Sequence, residues 1–190
     1  MVVTRLFDNN QIIEVTGFGY EFEGEIKGGN SNVSKLIHIG ALCNDSSING
    51  ETLIGDPTEL ALVTLAAKNK TLQKALKEEF PRIDEFPFDS DRKLMSTVHD
   101  VSGSIQMYTK GAPDQLLKVC SHYIVDGDIK KIDDKFIKTV ELANQGLARA
   151  ALRVLGFAYK ELDEYKSINE EENNVRFTGL VGIIDPPREE

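Results

Sequence analysis

The stretch from Phe88 to Asp114, FDSDRKLMSTVHDVSGSIQMYTKGAPD, sets the tightest constraint on how this chain folds. Leu94 to His99 and Ile105 to Thr109 have the composition of strands, and Asp100-Val101-Ser102-Gly103 between them is turn chemistry, so the two form a meander. Pro113 sits where a helix takes its first proline, which predicts a short helix over Ala112 to Cys120 directly after the second strand. Phe88 and the charged turn Asp89-Ser90-Asp91-Arg92-Lys93 at one end can then share a pocket with Lys110 and Gly111 at the other. An aromatic face, the basic residues Arg92, Lys93 and Lys110, and a glycine that lets a backbone approach a ligand suit a base carrying phosphates. The helix start beside Lys110 is a position that attracts anions. On the residues alone, a solvated strand-end lysine is an equally good reading of Lys110.

The surrounding chain supplies alternating helices and strands. Gln11 to Val15 alternates and is followed by Gly17, Gly19 and the Tyr20/Phe22 pair, which predicts a strand, a turn and a second strand. Ser31 is placed to cap a helix through Val33, Leu36, Ile37, Gly40, Ala41 and Leu42, with His38 as a packed or surface residue. The polar run from Asn44 to Gly55 reads as a loop. Asp56-Pro57-Thr58-Glu59 is a strong helix start, with aspartate as cap, proline in the first turn and a glutamate three residues on. Glu59 thus has two readings, a capping carboxylate or a hydrogen-bond acceptor at a pocket rim.

A second helix is predicted from Thr71 to Glu79, and Arg82 to Phe88 is extended, kept at a sheet edge or a bulge by Pro87. His122 to Asp126 and Asp128 to Lys131 form a hairpin about Asp126-Gly127, and Asp133 to Ala148 has helical spacing. Ala150 to Tyr159 is apolar enough to be a buried strand, which would place Arg153 in the interior with either a core carboxylate or an anionic ligand as partner. Leu162 to Arg176 reads as an exposed acidic loop in which Glu170, Glu171 and Glu172 serve solvation. Phe177 to Ile184 is a last buried strand, and Asp185-Pro186-Pro187-Arg188 makes a stiff exit.

A chain of 190 residues with 41% hydrophobic composition fits one ordinary domain, taken as residues 1–190. The formal charge of −9 argues against a general nucleic-acid surface. Cys43 and Cys120 lack metal-ligand spacing and read as free thiols, so no metal site is expected. No apolar run reaches membrane-span length and no signal-peptide pattern is present, so the chain reads as soluble and cytoplasmic.

Six pieces in order, Cys43-Asn44-Asp45, Gly55-Asp56-Pro57-Thr58-Glu59, Phe88 with Asp91-Arg92-Lys93, Lys110-Gly111-Ala112-Pro113, Leu152-Arg153 and Asp185-Pro186-Pro187-Arg188, resemble the nucleotide-binding domain of P-type cation-transporting ATPases, calcium pumps above all. The resemblance implies an α+β fold, an antiparallel sheet flanked by helices, within the cytoplasmic part of a cell-membrane pump. It implies that Phe88 stacks on adenine, that Glu59 accepts a hydrogen bond near the base, and that Lys93, Lys110 and Gly111 line the pocket. Met95 and Leu155 would pack around adenine and Arg153 would reach towards the phosphates. Residues 185–190 would form a hinge in which Asp185 and Arg188 act.

ATP is the implied ligand, with magnesium in the full pump, and the implied partners are the phosphorylation and actuator domains of the same parent chain. Two positions depart from the family's usual pattern. Ser90 stands where many calcium pumps carry an arginine that helps with the phosphates, and Asp114 stands for a glutamate. The Asp-Lys-Thr-Gly-Thr signature of the phosphorylated aspartate is absent, so no catalytic residue is assigned and the chain is expected to bind ATP without hydrolysing it. Rival classes are a freestanding nucleotide hydrolase, for which no paired-carboxylate motif is in suitable company, and a protein-interaction module, which predicts no response to nucleotide.

Overall fold

The computed structural model describes residues 1–165 and 167–185. β1 (Val2–Asp8) turns back through Asn9 and Asn10, both at positive φ, into β2 (Gln11–Glu14). Two asparagines tolerate that left-handed turn because their short polar side chains can bond locally. The expectation of a second strand at Tyr20/Phe22 is corrected here. The strand that pairs with Gln11–Glu14 precedes it, and Thr16 to Glu25 is a loop in which Gly17, Gly19 and Gly24 take positive φ. β1 escaped the period-2 pattern because it is buried on both faces over most of its length.

α1 (Ser31–Leu42) is capped by Asn30, whose side chain accepts from the Asn32 and Val33 amides, one residue before the predicted cap. The supposed loop that follows contains a small separate hairpin, β3 (Ser47–Asn49) and β4 (Thr52–Ile54). α2 (Pro57–Lys68) starts as predicted, with the Asp56 carboxylate accepting from the Thr58 and Glu59 amides. α3 (Gln73–Glu79) leads into β5 (Arg82–Phe86), which is an edge strand as Pro87 requires. β6 (Leu94–Val101) and β7 (Ser104–Gly111) form the meander, and α4 (Pro113–Val119) follows at once. β8 (Cys120–Val125), β9 (Asp128–Lys131), α5 (Asp134–Arg149), β10 (Leu152–Leu162) and β11 (Val175–Ile184) complete the fold.

The main sheet runs β2-β1-β11-β10-β7-β6-β5 and is antiparallel along that path. On the β1 side, β11 is shared. Leu180–Ile184 pair with β1, whereas Val175–Phe177 pair with β8, in parallel. One face of the sheet is covered by α1, α2 and α3, with Leu36, Ile37, Leu62 and Leu65 packed on Leu6, Tyr108 and Phe157. The other is covered by α4 and α5, with Leu116, Val140 and Leu147 packed on Val98, Met107 and Leu180. The architecture is the expected α+β arrangement of an antiparallel sheet flanked by helices. Val2 and Ile184 are cross-strand partners, so the first and last strands lie side by side.

The acidic run before β11 is not merely solvated. Lys160 pairs with Glu171 at 2.9 Å, and the Glu172 side chain is only 6% exposed against Arg92. Arg153 is corrected in the opposite direction. It lies near the start of β10, exposed, with a neutral Thr58 hydroxyl as its partner rather than a core carboxylate.

Candidate functional site

The turn between β5 and β6 is built around Arg92. Its Nε donates to Glu172 at 2.8 Å, Nη1 to Asp89 at 2.5 Å, and Nη2 to the carbonyls of Phe86, Pro87 and Leu94. The guanidinium also lies 3.7 Å from the centre of the Phe86 ring. Of the three basic residues in this stretch, Arg92 is therefore a structural clamp with its donors turned inward. Asp89 contributes to the same turn, accepting from the Asp91 and Arg92 amides, which with the Arg92 side chain holds its carboxyl below the usual range. The clamped loop presents Phe88, 59% exposed, to the outside. Lys93 closes the turn in the left-handed conformation, with φ of 57°.

Phe88 stands beside a cavity of about 350 Å³ lined by Ser90, Lys93, Lys110, Gly111, Val154 and Leu155 with Phe88 and Ala112. That volume lies within the range of small-molecule sites, about 300–1,000 Å³. The site forms where β6, β7 and β10 meet, because Gly111 pairs with Leu94 on one side and Gly156 on the other. Gly111 is also fixed by strand packing. A Cβ there would lie 2.2 Å from the Lys93 carbonyl oxygen. The residue expected to admit a ligand is thus required first by its own neighbours.

The structure gathers Phe88, Lys93, Lys110, Gly111 and Leu155 around this cavity, whereas Glu59, Met95, Arg153 and Asp185 are not part of its lining. Met95 is buried in the core, and its carbonyl accepts from the Cys43 thiol, which burial holds above its usual pKa. Arg153 reaches Thr58 in the first turn of α2, with Nη1 2.9 Å from Oγ1. Asp185 is exposed just after β11, and Arg188 lies outside the described residues. Among the described residues no group of three or more His, Cys, Asp or Glu side chains is placed to hold a metal ion.

Glu59 is joined to Lys110, which is 7% exposed, by an ion pair of 2.5 Å. Its other oxygen, Oε2, accepts from the Asp45 amide at 3.1 Å and from the Ser46 hydroxyl at 3.0 Å. Asp56, not Glu59, caps the helix, which corrects the capping reading of Glu59; its carboxylate pairs with Lys110 instead. Asn44, fully buried, ties α1 to α2 by donating to the carbonyls of Gly40 and Glu59 and accepting from the Ser46 amide. Arg82 covers the end of α1 through the carbonyls of Leu42 and Asn44 and pairs with Asp45 at 2.7 Å.

In the sequence Asn44 and Asp45 stand out only as parts of a motif, and Ser46 and Arg82 do not stand out as site residues. The signal available for them was the run of short polar residues after an apolar helix. A second cavity, about 290 Å³, lies at the far end of β1 between the Asn9-Asn10 turn, β8 and α5. Tyr123 and Phe136 stack on each other there at 3.8 Å, whereas the exposed Phe88 ring offers its surface to solvent.

These features define a class: a helix-flanked sheet with an exposed aromatic, an apolar cavity and a partly buried lysine–glutamate pair at one end. The family described as "P-type ATPase, cytoplasmic domain N" matches residues 32–190, and the chain belongs to it. Its relatives include "Calcium-transporting ATPase 1" of Bacillus cereus, 42% identical over 192 residues that cover 100% of this chain and 21% of that protein. A calcium-transporting ATPase of Listeria monocytogenes is 42% identical over 158 residues, covering 82% of this chain and 18% of that protein. "Calcium-transporting ATPase type 2C member 1" of Homo sapiens is 33% identical over 201 residues, covering 99% and 21%. The chain spans about a fifth of the length of these relatives.

Proposed function

We propose that this chain is the ATP-binding domain of a P-type calcium-transporting ATPase, presenting the γ-phosphate of ATP to an aspartate on a separate phosphorylation domain. The observation that carries the reading is the exposed Phe88 ring beside an apolar cavity with Lys93 and Lys110 in its wall. A base stacks on Phe88 and slides against Val154 and Leu155, with Met95 behind. Glu59 accepts a hydrogen bond from it, Lys93 and Gly111 flank it, and Lys110 supplies positive charge inside an otherwise acidic molecule. Arg153 stands outside the cavity, on the side of the phosphates. Phosphoryl transfer in such a system is chiefly positioning and electrostatics, so the work of this chain is to hold the nucleotide still. ATP supplies the transferred group, and magnesium acts in the full pump.

The adjacent first and last strands support a domain inserted into a larger chain, with Asp185 and Arg188 as its hinge and the phosphorylation and actuator domains as its partners. The family's description as a cytoplasmic domain, with relatives that are calcium-transporting ATPases, supports the reading of a cell-membrane parent with this part on the cytoplasmic side. Calorimetric titration tests the reading. The chain should bind ATP and ADP with a Kd on the order of 0.1 to several mM. Phe88→Ala should weaken both by about 1–3 kcal/mol, the contribution of one stacked base. No sustained ATPase activity should accompany binding. Unchanged affinity in the folded Phe88→Ala protein would remove the stacking platform from the reading.

A further inference from the structure

The Glu59 carboxylate is held by three donors, and their distribution over its two oxygens is uneven. A carboxylate offers about four lone-pair positions. Oε2 takes two donors, the Asp45 amide and the Ser46 hydroxyl, and Oε1 takes one, from Lys110. One acceptor position remains, on the oxygen that faces Lys110. Ser46 itself is fully buried, its amide donates to the buried Asn44 side chain, and its hydroxyl lies 3.5 Å from the Asp56 carbonyl.

Room for that hydroxyl comes from Gly55, at φ of 114°. A Cβ there would lie 2.1 Å from Ser46 Oγ. The chain therefore keeps, against a side chain that holds Glu59, a glycine in a conformation and a space that other residues do not tolerate. Lys110 lines the cavity beside Phe88, and the Glu59 oxygen with the open acceptor position is the one paired with it, so Glu59 reaches the cavity's lining through Lys110.

We propose that Ser46 is a positioning residue for base recognition: by filling Oε2 it leaves Glu59 a single outward acceptor, which favours a purine with an amino group at its 6-position over one with a carbonyl there. An amino group donates to the free position on Oε1. A carbonyl at the same place sets two acceptors against each other and leaves both unpaired, which is the stronger form of discrimination. Without the Ser46 hydroxyl, Oε2 regains an open position and the carboxylate is free to turn. Selectivity should then fall more than affinity. This inference rests on the nucleotide reading of the Phe88 cavity.

The test is titration of the whole chain with ATP, ITP and purine riboside triphosphate, which differ at the 6-position and, for ITP, in the proton on N1, followed by proton–nitrogen correlation spectra. In the unaltered chain ATP should bind more tightly than ITP. Ser46→Ala should lower the ATP-to-ITP affinity ratio about three- to tenfold, the worth of one hydrogen bond, and leave the riboside lacking a 6-substituent nearly unchanged. Ser46→Cys, which keeps a side chain of similar size and a weaker donor, should move the ratio in the same direction. A general loosening of the fold would weaken all three ligands together and leave the ratio alone, and that result would overturn the role given to Ser46. ATP binding to the unaltered chain with shifts remote from Phe88 would instead overturn the reading of the cavity.

Discussion

Arg92 and His99 carry the residue-scale consequences. The Arg92 guanidinium donates to five acceptors, one of which, the almost wholly covered Glu172 carboxylate, lies 80 residues away. Arg92→Ala should cost about 2–4 kcal/mol in urea unfolding, because it leaves a covered carboxylate without its cation. Arg92→Lys should recover little, since an ammonium cannot span the same fork. Hydrogen exchange at residues 88–93 should quicken in both. His99 is 1% exposed, and its Nδ1 lies 3.0 Å from the Phe80 carbonyl, which can only accept, so Nδ1 carries the proton and Nε2 accepts from the Thr97 hydroxyl. Burial lowers its pKa from 6.5 to about 4. Between those values the unfolded chain binds a proton that the folded one refuses, so stability falls as pH drops through that window and levels off below it. The loss is on the order of 3 kcal/mol, and His99→Gln should flatten that part of the urea-measured stability profile. Phe88, Lys93 and Lys110 were legible from sequence because one hairpin brings them together. The Arg92–Glu172 pair was not, because only the tertiary fold joins them, and Arg153 was misjudged because an apolar run hides which of its positions face outward.

At the scale of elements, α2 determines where Glu59 stands. Asp56 holds its first turn through the Thr58 and Glu59 amides, so Asp56→Ala should lower stability by about 1 kcal/mol. Because the same turn carries Glu59 and Thr58, that variant should also weaken ATP binding without altering any residue of the Phe88 turn. Thermal unfolding and calorimetry on one sample separate the two effects. The start of α2, the meander and the short α4 were readable because each is punctuated by Asp, Gly or Pro with a specific backbone job. β1 was not, since a strand buried on both faces loses its alternation, and the β3–β4 hairpin was not, since three-residue strands fall below what periodicity detects.

For the whole molecule, the sheet brings three distant parts of the chain to one end: the clamped turn at Phe88, the β7–α4 junction at Lys110 and Gly111, and β10 at Val154 and Leu155. The α+β class followed from the succession of elements, but the strand order and the fork at β11 needed pairings that no local pattern encodes. The family pattern, not residue spacing, joined Glu59 and Leu155 to the turn in the sequence reading. The central claim is that this assembled end holds a nucleotide. Titration of the labelled chain with ATP, followed by proton–nitrogen correlation spectra, tests it most directly. Saturable shifts should concentrate on residues 88–93, 110–112 and 154–155, with GTP weaker than ATP. Shifts centred elsewhere, such as on the cavity beside Tyr123 and Phe136, or none at several millimolar ATP, would contradict it.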